Sequence, residues 1–230
     1  MNEWENMMNK IKAMLYGSII FLLTSMTTSP LMADFSGPYA GVQMSVNGVE
    51  LDGSTTDSNS QVQNGAGGMF GIAGGIDAGW NIPLGDKLFL GVGGSLNPGD
   101  AKLNVDAGGA AGGNTTDVSI EFSDMVTWYV QPGIAISDNS AVYLKFGHTS
   151  ADLTITGDVT KLSSLDGTTY GIGTVSKADS GFFIKTEAGW IDFDSMKLTG
   201  LGSANGIATT NSATANPTSA YGQVSIGIQF

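Results

Sequence analysis

Two hundred and thirty residues carry 9 basic and 21 acidic side chains, a net charge of −12. Every basic residue is Lys, charged residues are only 13%, and there is no Cys. That balance excludes a nucleic-acid surface, a disulfide scaffold and a thiolate metal site. Gly accounts for 34 residues, about twice its ordinary share. High Gly with low charge suits a barrel whose outer face meets lipid and whose inner face is crowded.

At the N-terminus, Lys10 and Lys12 precede an apolar run from Ala13 to Leu23, and Leu31-Met32-Ala33 follows. A basic region, a short apolar region and a small residue make a secretory signal peptide, residues 1–33, cut after Ala33. The run is shorter than the ~20 residues a spanning helix needs. Glu3 and Glu5 sit badly in such a leader, which points to a start at Met7 or Met8. No other segment resembles a membrane helix, so strands of residues 34–230 must do any crossing.

The first strand begins near Pro38. Ala40, Val42, Met44 and Val46 face one side, Gln43, Ser45 and Asn47 the other. Residues 48–67 read as a polar loop. The second strand, about 68–81, turns Phe70, Ile72, Ile76 and Trp80 outward and Asp77 inward. Pro83–Asp86 is a tight turn. The third, about 87–97, turns Leu88, Leu90, Val92 and Leu96 outward and Phe89 inward. A Gly/Ala-rich loop follows from Asn97 to Thr116.

The fourth strand, about 117–136, has Val126, Trp128, Val130 and Ile134 outward, with Pro132 as the candidate bulge. Ser137–Ser140 is the second turn. The fifth, about 141–155, has Val142, Leu144 and Phe146 outward and Tyr143 and Lys145 inward. Residues 156–167 read as a loop, and the sixth strand, about 168–176, is the weakest. Lys177–Ser180 is the third turn. The seventh, about 181–199, has Phe182, Ile184 and Trp190 outward, with Lys185 and Glu187 inward. Residues 200–217 form the last loop. The eighth strand alternates Val224, Ile226, Ile228 and Phe230 against Gln223, Ser225 and Gln229.

Long and short connections alternate, the strand count is even, and apolar spans are about ten residues. The expected fold is therefore all-β: an eight-stranded antiparallel up-and-down transmembrane β-barrel, monomeric, in the outer membrane of a Gram-negative bacterium. A soluble barrel would carry a charged outer face. Here the second face is Gly, Ser, Thr and Gln, too uncharged to meet water. Outward aromatics form interface girdles: Trp80, Phe182 and Phe230 on the periplasmic side, Phe70, Trp128 and Trp190 on the external side.

Three stretches carry a family resemblance. Phe35-Ser-Gly-Pro-Tyr-Ala-Gly-Val42 resembles an aromatic-Gly-Tyr-x-Gly opening of a first strand. Tyr129–Gly147 resembles a fourth-to-fifth-strand hairpin. Val224–Phe230 resembles a terminal strand read by the barrel-insertion machinery, with Ile228 where an aromatic is common. Together they resemble the opacity-protein-like family of eight-stranded outer-membrane barrels, of the OmpA/OmpX type. That resemblance implies a fold and says little about activity, because such proteins include tethers and adhesins.

Inward Asp77, Lys145, Lys185 and Glu187 lie at similar heights. Either sign buried alone is costly, so they are expected to pair as a lumen ion cluster, a structural plug or, alternatively, the gate of a small-solute channel. Inward Gly71, Gly75, Gly79, Gly91, Gly93 and Gly227 favour space. Inward Tyr39, Phe89, Tyr129, Tyr143, Phe183 and Tyr221 favour a filled interior. His148, the one histidine, faces outward in the external half. A rim lipid enzyme would need it beside carboxylates such as Asp124, Asp192 or Asp194. The loop acids fit no calcium-loop spacing. The expectation is a non-catalytic envelope or surface-interaction protein with no cofactor or metal. Its partners would be outer-membrane lipid, lipopolysaccharide and the insertion machinery.

Overall fold

The computed structural model describes residues 35–56, 62–98, 101–105, 118–156, 163–199, 203–204, 207–208 and 212–230. The expected signal peptide, residues 1–33, lies outside them. In chain order the strand segments are β1 (Gly37–Thr56), β2 (Val62–Pro83), β3 (Leu88–Asn97), β4 (Ala101–Val105), β5 (Val118–Ala135) and β6 (Ser140–Thr156). There follow β7 (Ser164–Lys177), β8 (Phe182–Phe193), β9 (Met196–Thr199), β10 (Ser203–Ala204), β11 (Ile207–Ala208) and β12 (Ser212–Gln229).

Eight of these form the wall, antiparallel, in the order β1-β2-β3-β5-β6-β7-β8-β12, and β12 returns to β1. β4 pairs with β5 beyond the end of β3, and β9 pairs with β12 beyond the end of β8. The register fixes the shape. Partners run from Tyr39 through Gly79, Gly93, Tyr129, Gly147, Thr169, Ile191 and Ser219 to Val49, ten residues further along β1. A stagger of that size tilts the strands by roughly 40°, so each residue climbs roughly 2.5 Å along the axis.

The three tight turns and both described chain ends lie at one end, here the bottom. There the Phe230 amide donates to the Pro38 carbonyl at 2.9 Å, and Phe35 stacks on Phe89 at 5.7 Å between ring centres. In this lower part the outward residues are apolar and exposed, and the inward ones interlock. Phe89 lies over Gly133, Tyr143 over Gly173 and Phe183 over Gly227. Tyr39 and Tyr129 lie over Gly79 and Gly93. A Cβ at any of those glycines would collide with the ring. These inward glycines are therefore seats for aromatics on neighbouring strands, and Gly75 and Gly91 lie against Asn97, Asn81 and Gln131 rather than open space.

Several boundaries differ from the sequence reading. Within the supposed loops 48–67, 97–116, 156–167 and 200–217, nearly all the described residues are strand. β1 runs on to Thr56, β2 starts at Val62, β6 ends at Thr156 and β7 starts at Ser164, while β4 and the start of β12 occupy parts of the other two. The reason is a reversal of polarity. In the upper part Leu51, Ala151, Leu153 and Leu165 point inward and pack together, while Asp52, Asp152 and Asp166 point outward. Composition alone made those polar-outward strands resemble loops.

β7, expected to be the weakest strand, pairs along its length with both neighbours. The bulge is also elsewhere. Pro132 pairs with Leu90 in an unbroken β3–β5 register. The β5–β6 register slips between Ser123 and Val126, where Asp124 adopts φ of 46°. That extra residue turns Phe122 inward above the slip while Thr127 stays inward below it.

Candidate functional site

Asp77 on β2, Lys145 on β6 and Lys185 and Glu187 on β8 face the lumen because their chain neighbours face lipid: Ile76, Leu144 and Phe146, Ile184. All four are buried. They form two crossed ion pairs, Lys185 Nζ to Asp77 Oδ2 at 2.7 Å and Lys145 Nζ to Glu187 Oε1 at 2.9 Å. Burial of four unpaired charges would cost several kcal/mol each, so the pairing is what makes this layer tolerable.

Tyrosines complete it. The Tyr221 hydroxyl donates to Glu187 Oε1 at 2.8 Å, and the Tyr143 hydroxyl donates to Glu187 Oε2 at 3.0 Å. Tyr129 donates to Asp77 Oδ1 and shares a 2.9 Å bond with Tyr39. Lys145 Nζ stands 4.4 Å from the Tyr129 ring centre, and Lys185 Nζ stands 4.6 Å from that of Tyr39. Every carboxylate oxygen is engaged, which suits a fixed network and not a proton donor or nucleophile. In the sequence these tyrosines read as filling of the interior and not as partners of the carboxylates. Their inward phase is the signal in the sequence that they share the lumen with the ion layer.

The layer is enclosed on both sides. Beneath it Phe35, Tyr39, Phe89, Tyr143, Val175 and Phe183 form a buried apolar cluster. Above it lies a neutral polar layer. There Gln223 donates to Gln43 at 2.8 Å, Gln43 donates to Asn97 at 2.5 Å, and Thr127, Thr149 and Thr169 are linked hydroxyl to hydroxyl. Higher still, Leu51, Phe122, Leu153, Leu165, Phe193 and Met196 form a second buried apolar cluster. A cavity of ≈20 Å³ beside Lys185 and another beside Lys145 are each the size of about one water.

The girdle residues project outward. Phe70 is 71% exposed and Trp128 67%, and Trp80, Phe182 and Phe230 are exposed as well. Trp190 is half-buried, stacked on Tyr170 at 5.3 Å. Along β2, Trp80 and Phe70 are ten residues apart, roughly 25 Å of axial height, which equals the apolar band of an outer-membrane barrel. His148 does not meet Asp124 or Asp194. Its partner is Asp166, Nε2 to Oδ1 at 3.6 Å, an acid in a stretch whose composition reads as a loop. Among the described residues no group of three or more His, Cys, Asp or Glu converges as a metal site.

The outer membrane protein beta-barrel domain family matches residues 18–227. The chain belongs to that family. The wall just described is therefore an outer-membrane barrel, with its tight turns at the periplasmic end. No curated protein sequence matches it. Among solved structures it is similar to the outer membrane protein OprG of Pseudomonas aeruginosa, with a TM-score of 0.51, 12% identity, 87% of this chain and 100% of that chain. It is also similar to the outer membrane protease OmpT of Escherichia coli (0.46, 7%, 90% and 99%). A third is the attachment invasion locus protein Ail of Yersinia pestis (0.34, 9%, 80% and 99%). At these identities the likeness is one of fold.

Proposed function

We propose that this protein is a closed, non-conducting and non-catalytic outer-membrane barrel that acts through its external surface, as an envelope component or an interaction platform. The observation that carries this reading is the stacking of the lumen: an apolar layer, a neutralised ion layer, a polar layer and a second apolar layer. A hydrated ion would have to displace aromatic rings at the bottom and Leu and Phe side chains at the top. Its partners in this reading are the lipid and lipopolysaccharide around the belt and the insertion machinery that reads β12. Closure of β12 on β1 leaves that ladder without a free edge, which supports a monomer.

The test is conductance across a planar bilayer by protein purified folded from outer membranes and identified by a heat-dependent gel shift. The reading expects a silent bilayer. Discrete, reproducible steps would instead make the protein a small-solute channel, with Asp77, Lys145, Lys185 and Glu187 as its gate.

A further inference from the structure

The lipid-facing wall is not uniform around the barrel. On β2 the apolar surface continues up through Ile72 to Phe70. On β6, β7 and β8 it stops earlier. His148, Thr168 and Asp192 follow one another as cross-strand partners in a single outward row, and Asp166 stands beside Ser150 just above it. His148 and Asp166 are paired and open to the surroundings, their side chains 63% and 49% exposed.

Two residues below that polar row lies an aromatic one: Phe146, Tyr170 and Trp190. Phe146 meets Tyr170 edge-on at 6.4 Å, and Tyr170 stacks on Trp190. Trp128 is the direct partner of His148 on the other side, its ring lying across Gly94. Phe182 to Trp190 is eight residues along β8, roughly 20 Å of axial height. The polar row therefore stands where hydrocarbon gives way to the headgroups of the outer leaflet.

The two rows fit one ligand chemistry. Aromatic rings offer apolar faces to the C–H face of a sugar. Carboxylates and hydroxyls accept hydrogen bonds from sugar hydroxyls, and bonds to a charged acceptor are the stronger ones. Phosphate does not fit, because Asp166 and Asp192 would repel it and no Lys stands in either row. We propose that the outward face of β6–β8 at the external interface binds the saccharide headgroup of an outer-leaflet glycolipid. In this arrangement the sugar rests on the Tyr170–Trp190 stack and donates hydroxyls to Asp166 and Asp192. This deepens the surface-interaction reading above and rests on the barrel standing in the outer membrane.

The experiment is native mass spectrometry of the folded protein in a sugar-free amine-oxide detergent. The probes are a neutral glucosyl diacylglycerol, phosphatidylethanolamine and phosphatidylglycerol with matched acyl chains. The glucosyl lipid should be retained preferentially. Asp166→Asn with Asp192→Asn should cut that preference roughly tenfold, while Glu50→Gln on the β1 wall leaves it unchanged. Equal retention of all three lipids overturns the site. So does preference for phosphatidylglycerol that appears only with magnesium, which would mean a cation bridge, and so does a dimer that excludes lipid from this face. A silent bilayer together with equal retention would remove the glycolipid site and leave the closed barrel standing. A conducting bilayer with glucosyl preference would do the reverse.

Discussion

The lower and upper halves of this barrel share one ladder and follow opposite rules. In the lower half Val42, Ile76 and Val224 face out while Gln43, Asp77 and Ser225 face in. In the upper half Leu51, Leu153 and Phe193 face in while Asp52, Asp152 and Asp192 face out. The same period-2 backbone serves both, and the solvent decides which face is apolar. Below, lipid surrounds the wall and the interior has to neutralise its own charge. Above, water surrounds the wall and the interior becomes an ordinary hydrophobic core. The reversal lies across the Ser123–Val126 slip, which lets β5 follow it.

The largest effect is expected where the lower half is least forgiving. Lys185→Met strands Asp77 inside the lumen and should cost about 3–5 kcal/mol, read from the urea midpoint of the barrel in lipid vesicles. Adding Asp77→Leu should restore most of that loss, because a missing pair costs less than an orphaned charge. In the upper half Phe193→Ala should cost about 3–5 kcal/mol by opening a cavity. Hydrogen exchange should then rise in β9 and the upper part of β12 before it rises in the membrane band.

The two outer surfaces can be compared with one substitution. Ile76→Lys, near mid-band, should cost about 2–4 kcal/mol, whereas Thr154→Lys should stay within about 0.5 kcal/mol. Equal costs would erase the distinction between the halves. The glycine seats give a smaller contrast. Gly173→Val, under the Tyr143 ring, should cost about 1–3 kcal/mol. Gly222→Ala, whose Cβ meets nothing within 4 Å, should change stability by less than about 0.5 kcal/mol.

Much of the lower half was legible because its alternation is unbroken. Val42, Ile76, Leu144 and Ile184 mark one face, and the lumen charges Asp77, Lys145, Lys185 and Glu187 fall on the other by parity alone. The upper half was legible only in part, since Asp52 and Asp166 lie in stretches that carry the composition of loops. The union of His148 with Asp166 stays hidden for that reason. The apolar residues Leu51, Leu153 and Leu165 carry the inverted phase that marks an apolar interior. Pro132 suggests a bulge because it lacks a donor, whereas the slip at Asp124 turns Phe122 inward. Inward glycines read as space because a sequence shows each residue without its cross-strand neighbour.

One measurement bears most directly on this account. The chain has no Cys, so single cysteines along β6 report without background. Leu144→Cys, Phe146→Cys, Ala151→Cys, Asp152→Cys, Leu153→Cys and Thr154→Cys would each be exposed to a water-soluble maleimide with the barrel in lipid vesicles. The account predicts fast labelling at 152 and 154 only. Positions 144 and 146 stay protected by lipid, and positions 151 and 153 by the upper core. Labelling at 153 as fast as at 154 would mean an open, watered lumen, and the sealed barrel with its two reversed halves would be wrong.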